Sequence, residues 1–202
     1  MTNDDDALLA ALRAGEDLAR EHLYRTYAAQ VLTWTIRLSN PGMDAEDLAH
    51  EVFLVALRDI YRFRGDSSVS TWLFGITRRI TANARRRHAI RRLVGLERAA
   101  ELPASGRSPE EDSLHRERRR EVQRALQGLS PRHREVLALV DLDQRSTAEA
   151  AEMLGVPTGT VHSRLHAARR ALAQHLRRRG WDPAGPPTAE LPAAELPAAR
   201  LP

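Results

Sequence analysis

The chain has 202 residues and a formal net charge of +4 from 31 basic and 27 acidic residues, and every base is an arginine. It holds no cysteine, which excludes disulfide frameworks, thiol nucleophiles and cysteine-ligated zinc. No stretch reaches the roughly 18 consecutive apolar residues of a membrane helix, and the start MTNDDDALLAALRAGED is acidic where a secretory leader is basic, so a cytoplasmic protein without membrane insertion is expected.

In chain order, Asp5 or Asp6 is placed to cap a short helix carrying Leu8, Leu9 and Leu12. A longer helix is predicted from about Glu16 towards Ser39, with Leu23, Tyr27, Val31 and Leu32 at helical spacing, and Asn40-Pro41-Gly42 ends it. Asp44 caps a third helix, where Glu46 and Asp47 suit the positive amino-terminal end. Its apolar stripe is Leu48, Val52, Val55 and Ala56, widened by Phe53 and Leu57. After the polar turn Phe63–Ser68 a fourth helix starts near Ser70 and runs into a dense arginine stretch.

From Leu96 the composition turns to Glu, Ala, Pro, Ser and Gly, as a linker does. A second helical block follows: Arg116–Leu129, then Ser130-Pro131 as N-cap and first-turn proline, Arg132–Val140, and helices over 146–154 and 158–177. From Asp182 the chain repeats AELPA and has too little apolar surface to order itself. No segment alternates with period two. The expected fold is all-α: a helical domain over 1–95, a flexible linker over 96–115, a helix-turn-helix domain over 116–180, and a disordered Ala/Pro-rich tail over 181–202.

Charge is distributed unevenly. Residues 1–60 hold eleven acids against five arginines, whereas 78–98 hold eight arginines against Glu97 alone. The basic segment points to a polyanion, with a solvated helix face as the bland alternative. Asp47, His50 and Glu51 fall at i, i+3 and i+4 on one side of the third helix. Such spacing can ligate a metal in helical bundles, but no second copy supplies matching carboxylates, so no metal or other cofactor is expected. An acidic protein-binding surface is favoured.

On the fourth helix Trp72, Phe74 and Ile76 precede Arg78, Arg79, Arg85, Arg86 and Arg87. Aromatic rings beside arginines suit single-stranded nucleic acid, because bases stack and phosphates pair; a plain core role for Trp72 and Phe74 stays open. In TAEAAEMLGVPTGTVHSRLHAARRAL, Ala151 is small, Gly155 supplies a turn, Val161 and Leu165 face inwards and Thr158 caps the second helix. Thr160, His162, Ser163, Arg164 and His166 then form a donor-rich outer face, with Arg169 and Arg170 further along near phosphate. An ordinary helical hairpin shares this spacing, and the donor-rich face favours DNA.

DAEDLAHEVFLVAL, FRGDSSVSTWLFGITRR and LSPRHREVLALVDL with STAEAAEMLGVPTGTVHSRLHAARRAL follow one another over about residues 16–178. In this order they resemble the extracytoplasmic-function sigma factors of bacterial RNA polymerase. The resemblance implies that Asp44, Glu46, Asp47, Leu48, His50, Glu51, Val52 and Phe53 meet the clamp helices of the largest polymerase subunit. It implies that Phe63, Arg64, Asp66 and Ser67 belong to a loop capturing a flipped base of the −10 element. Trp72, Arg78, Arg79, Asn83 and Arg86 would open and read that element. Thr158, Thr160, His162, Ser163, Arg164 and Arg169 would read the −35 element.

The implied partners are core polymerase, including the flap of its second-largest subunit, promoter DNA in duplex and single-stranded form, and an anti-sigma factor. The linker would thread near the active-site and RNA-exit path. No catalytic residues are expected, since the chemistry belongs to the polymerase. Four positions depart from the family's usual residues: His50 for glutamine, Arg79 for asparagine, Asn83 for aspartate and His162 for lysine. A helix-turn-helix regulator acting on duplex DNA without polymerase is the alternative.

Overall fold

The computed structural model describes residues 3–93 and 122–178. The expected linker over 96–115, the start of the helix expected from Arg116 and the tail over 181–202 lie outside the described residues. Two compact units divide the chain, one built on the helices up to Ile90 and the other on those beyond Arg91. Every regular element among the described residues is helical.

The first unit contains α1 (Asn3–Ala14), α2 (Asp17–Leu38), α3 (Ala45–Asp59), a 3-10 turn at Ile60–Arg62 and α4 (Val69–Leu93). α1 begins at Asn3, so Asp5 and Asp6 lie within its first turn instead of capping it. Acids there still meet the positive helix end, which is why composition alone does not separate the two placements. Leu9 and Leu12 bury the inner face of α1 against α2. Asp44 caps α3 as expected, its carboxylate accepting from the N–H groups of Glu46 and Asp47 at 2.9 and 3.0 Å.

The core of this unit forms where α2, α3 and α4 meet. Leu23, Val31, Trp34 and Leu38 come from α2, Leu48, Val52, Phe53 and Ala56 from α3, and Leu73, Phe74, Ile76 and Ile80 from α4. Trp34 and Phe74, both fully buried, meet edge to face at 5.0 Å, an arrangement the ring quadrupoles favour. Thr77 and Thr81 also lie on the buried side of α4. Their hydroxyls donate to the carbonyls of Leu73 and Thr77, each at 2.8 Å, so neither is left unsatisfied.

The second unit contains the described part of α5 (122–127), α6 (Pro131–Leu137), α7 (Thr147–Leu154) and α8 (Thr158–Arg178). Ser130 caps α6, with Pro131 in its first turn, as the sequence implies. The expected α-helix over Arg132–Val140 does not run through: from Ala138 to Leu142 the backbone widens into a π-type turn. The Asp143 N–H reaches back to the Ala138 carbonyl at 3.0 Å, and Gln144 follows at φ +56°. Single π turns of this kind mark local strain or a function, and no short-range sequence signal announces them.

α7 opens on a capping box, in which Ser146 accepts from the Glu149 N–H and the Glu149 carboxylate accepts from the Ser146 N–H at 2.8 Å. It closes on Gly155 at φ +66°, ψ +41°. The Gly155 and Val156 N–H groups return to the carbonyls of Glu152 and Ala151, turning the chain sharply into α8. Thr158 is the first residue inside α8 and not its cap. The Pro157 carbonyl accepts from the N–H groups of Thr160 and Val161, so the backbone does the work assigned to the threonine hydroxyl.

Candidate nucleic-acid interface

Within the first unit, the burial pattern splits α3 into two faces. Leu48, Val52, Phe53 and Ala56 are buried, while Glu46, Asp47 and His50 are exposed and Glu51 is half-buried. Asp44 is exposed at the helix start. Leu48 and Phe53 therefore hold the helix in place while the acids and His50 face solvent. Leu54 extends this face: it is 61% exposed, one turn beyond His50, and apolar periodicity gave no reason to single it out. Among the described residues no cluster of three or more His, Asp or Glu side chains is placed to hold a metal ion.

The loop between the 3-10 turn and α4 has a firm base and an open tip. Phe63 is buried, with its ring stacked on Trp72 at 4.7 Å and 23° between planes. The Phe63 ring is thus occupied by a protein partner, and Trp72 is half-buried beneath it. Arg64 and Asp66 are exposed, Gly65 turns the backbone at φ +82°, and Ser67 is half-buried. The Ser68 hydroxyl accepts from the Thr71 N–H at 3.1 Å, which starts α4 one residue before the expected Ser70.

The arginines of α4 do not share one environment. Arg85 donates to the Leu38 carbonyl and so closes the carboxyl-terminal end of α2. Arg79 lies 3.7 Å from Asp59, whose carboxylate also holds Arg58 at 3.0 Å. These cations hold Asp59 below the usual carboxylate range, the hydrogen bond from Arg58 contributing most. Arg86 donates to Asn83, both exposed on the outer side of the helix, and Arg87 approaches Glu51 at 3.9 Å. Arg78 is half-buried.

In the second unit the burial pattern divides α8 into an inner and an outer face. Val161, Leu165, Ala168, Leu172 and Leu176 are buried, while Thr158, His162, Ser163, His166 and Arg170 are exposed and Thr160 and Arg164 half-buried. The Ser163 hydroxyl donates to the Thr160 carbonyl at 3.1 Å. Arg169 is engaged differently from the rest. Its guanidinium donates to both carboxylate oxygens of Asp141 on the π turn, at 2.6 and 3.0 Å. The paired Asp141 raises the Arg169 pKa further, chiefly through that hydrogen bond. Periodicity pointed to Arg169 only as an outer-face base, because its acidic partner lies 28 residues away.

Comparison with known proteins bears on both units. The Sigma-70 region 2 family model matches residues 23–91, and the Sigma-70, region 4 model matches residues 119–172. The ECF RNA polymerase sigma factor SigM of Mycobacterium tuberculosis is 34% identical over 172 residues, covering 85% of this chain and 84% of that protein. The ECF RNA polymerase sigma factor SigE of Mycolicibacterium smegmatis is 32% identical over 168 residues, 83% of this chain but 63% of that longer protein. In fold, the chain is similar to CnrH in the structure of its complex with the cytosolic domain of CnrY, with a TM-score of 0.63 at 23% identity. That match spans 86% of this chain and 97% of CnrH. With both family models in order along one chain and a relative of this identity over most of both lengths, the protein belongs to the extracytoplasmic-function sigma factors of bacterial RNA polymerase.

Proposed function

We propose a division of labour in which residues 1–95 bind core polymerase and open the −10 element, while 116–180 read the −35 element as duplex. The observation that carries this reading is the solvent-facing side of α3. Asp47, His50, Glu51 and Leu54 stand at i, i+3, i+4 and i+7 on a helix whose opposite side is core. A regulator that only grips duplex DNA has no use for such a face, because carboxylates repel phosphate. In this reading Asp44, Glu46, Asp47, His50 and Glu51 meet the clamp helices of the largest subunit, with Leu48 and Phe53 fixing the face from within.

The tip of the loop, with Arg64 and Asp66 exposed and Ser67 half-buried, receives the flipped base. Trp72, Arg78, Arg79, Asn83 and Arg86 line the melted strand, with arginines pairing phosphate and rings or guanidinium planes stacking. Phe63 contributes by stacking on Trp72 and fixing its ring. On α8, Thr158, Thr160, His162, Ser163 and Arg164 address base edges, Arg170 a phosphate, and the second unit also meets the flap. Arg169 supports this face through Asp141. The chain supplies no chemistry of its own and acts in the cytoplasm, where core polymerase works; no described helix is long and apolar enough to cross a membrane. The sigma factor RpoE of Bartonella quintana, whose fold is similar, is solved in complex with the anti-sigma factor NepR, which supports an anti-sigma partner for this chain as well.

The test is a double charge reversal, Asp47→Arg with Glu51→Arg. Core polymerase should no longer co-purify with the variant, while circular dichroism and duplex binding through α8 stay as in wild type. Retained polymerase binding would remove the α3 assignment.

A further inference from the structure

α1 lies outside the stretch matched by the region 2 family model, which begins at residue 23, yet it is tied to the loop that this family match covers. Leu9 and Leu12 are buried, 2% and 4% exposed, so the helix is docked and its last turn held in place. From that turn the Arg13 guanidinium donates to the Phe63 carbonyl at 2.5 Å, fifty residues away in sequence. In the opposite direction the Tyr61 hydroxyl donates to the Arg13 carbonyl at 2.9 Å. The two bonds form a reciprocal strap, each using one side chain and one backbone carbonyl.

The strap grips the loop at its root. Phe63 also stacks on Trp72 of α4, and its N–H returns to the Ile60 carbonyl at 3.3 Å. The root is therefore fixed by α1, by α4 and by the 3-10 turn, while Arg64 and Asp66 immediately beyond it are exposed. A side chain that must accept one base in one geometry works only when the backbone beneath it is held to a fraction of an ångström. A charged donor on a carbonyl is among the stronger ways to hold it.

We propose that Arg13 is a positioning residue for base capture: α1, through the Arg13–Phe63 and Tyr61–Arg13 bonds, sets the loop in the geometry that distinguishes one flipped base from another. The inference rests on the reading of the 63–67 loop as the base-capturing element. The competing role for Arg13 is a solvated cation at the carboxyl-terminal end of α1, favourable to the helix dipole and without effect on the loop.

The experiment uses holoenzyme assembled from the full chain and core polymerase. Its probes are forked DNAs with a single-stranded non-template segment taken from sequences bound by the wild-type holoenzyme, in four versions differing at the captured base. Arg13→Gln should lower discrimination between the preferred base and the others by about tenfold, as loss of one charge-assisted hydrogen bond allows. Arg13→Lys, which keeps a charged donor, should recover part of it, and Tyr61→Phe should lose less in the same direction. Core affinity should not change.

Wild-type discrimination in Arg13→Gln, or an equal loss of affinity for all four probes, would overturn the inference and leave the base-capture reading standing. A wild-type holoenzyme indifferent to the captured base would instead remove the base-capture reading, and the inference with it.

Discussion

Arg169 on α8 and Asp141 on the π turn form a two-pronged ion pair, at 2.6 and 3.0 Å, that ties α8 to the turn following α6. The Asp141 side chain is only 12% exposed, whereas Arg169 is 59% exposed. The planar guanidinium matches both carboxylate oxygens at once, which a lysine ammonium could not do. The pair couples a backbone irregularity to the orientation of the helix that carries Arg164.

That relationship separates two roles for Arg169. As a staple, Arg169→Ala and Asp141→Ala should each destabilise the second unit by about 1 kcal/mol, and the double variant should lose little more. As a phosphate contact, Asp141→Ala would be silent or would strengthen DNA binding. Chemical denaturation of the three variants, with duplex binding measured alongside, decides between them, and the geometry predicts the non-additive result.

Two glycines of the second unit should fail for different reasons when replaced by alanine. Gly155 sits at φ +66° with nothing within 4 Å of an added Cβ, so Gly155→Ala carries a conformational penalty alone, about 1 kcal/mol. Asn in its place should be milder, since Asn tolerates that region. Gly128 lies against α8: an added Cβ would stand 2.7–3.0 Å from the His175 imidazole. Gly128→Ala should therefore be rescued by His175→Ala, and Gly155→Ala should not. Thermal midpoints of the two pairs check this.

The capping box of α7 predicts a pH dependence. Hydrogen bonds from the Ser146 hydroxyl and N–H hold the Glu149 carboxyl below the usual glutamate range, with Arg145 adding to them and desolvation opposing. A carboxylate lowered on folding contributes stability above its unfolded pKa and loses it as pH falls through the folded value. Glu149→Gln should therefore be less stable than wild type near neutral pH, and the gap should close on acidification through the carboxylate range. A gap independent of pH would contradict the cap.

The elements legible in the sequence were those whose signal is local. Asp44, Ser130-Pro131 and Gly155 each act on backbone groups within four residues, and all three work as their residue types imply. Apolar periodicity also placed Leu23, Val31, Leu48, Val52, Val161 and Leu165 on buried faces. What periodicity could not supply is the partner of a polar side chain across the fold. Arg169 and Asp141, Arg85 and the Leu38 carbonyl, and Arg13 and the Phe63 carbonyl are joined across 28, 47 and 50 residues. Each converts an arginine that reads as surface charge into a support.

The aromatic residues show the same division. Trp72 and Phe74 are two apart on one helix, yet Phe74 is fully buried against Trp34 while Trp72 is half-buried against Phe63. Their roles are set by the rings opposite them, which residue type does not record. Leu54 carries no distinguishing signal in the sequence, because an exposed leucine on a helix is common. The π turn at Ala138–Leu142 stands apart, since ALVDL carries no residue that marks it.

The most direct test of the account is promoter-directed transcription by core polymerase reconstituted with this chain, with Arg164→Ala beside it. DNA bound by the wild-type holoenzyme is first sequenced to recover its promoters, and run-off transcription is then measured on them. The account predicts specific transcripts that depend on the added chain. It also predicts a weaker response to the upstream element in Arg164→Ala, with core binding intact. Tight duplex binding by the chain alone, with no polymerase association and no transcript, would contradict it.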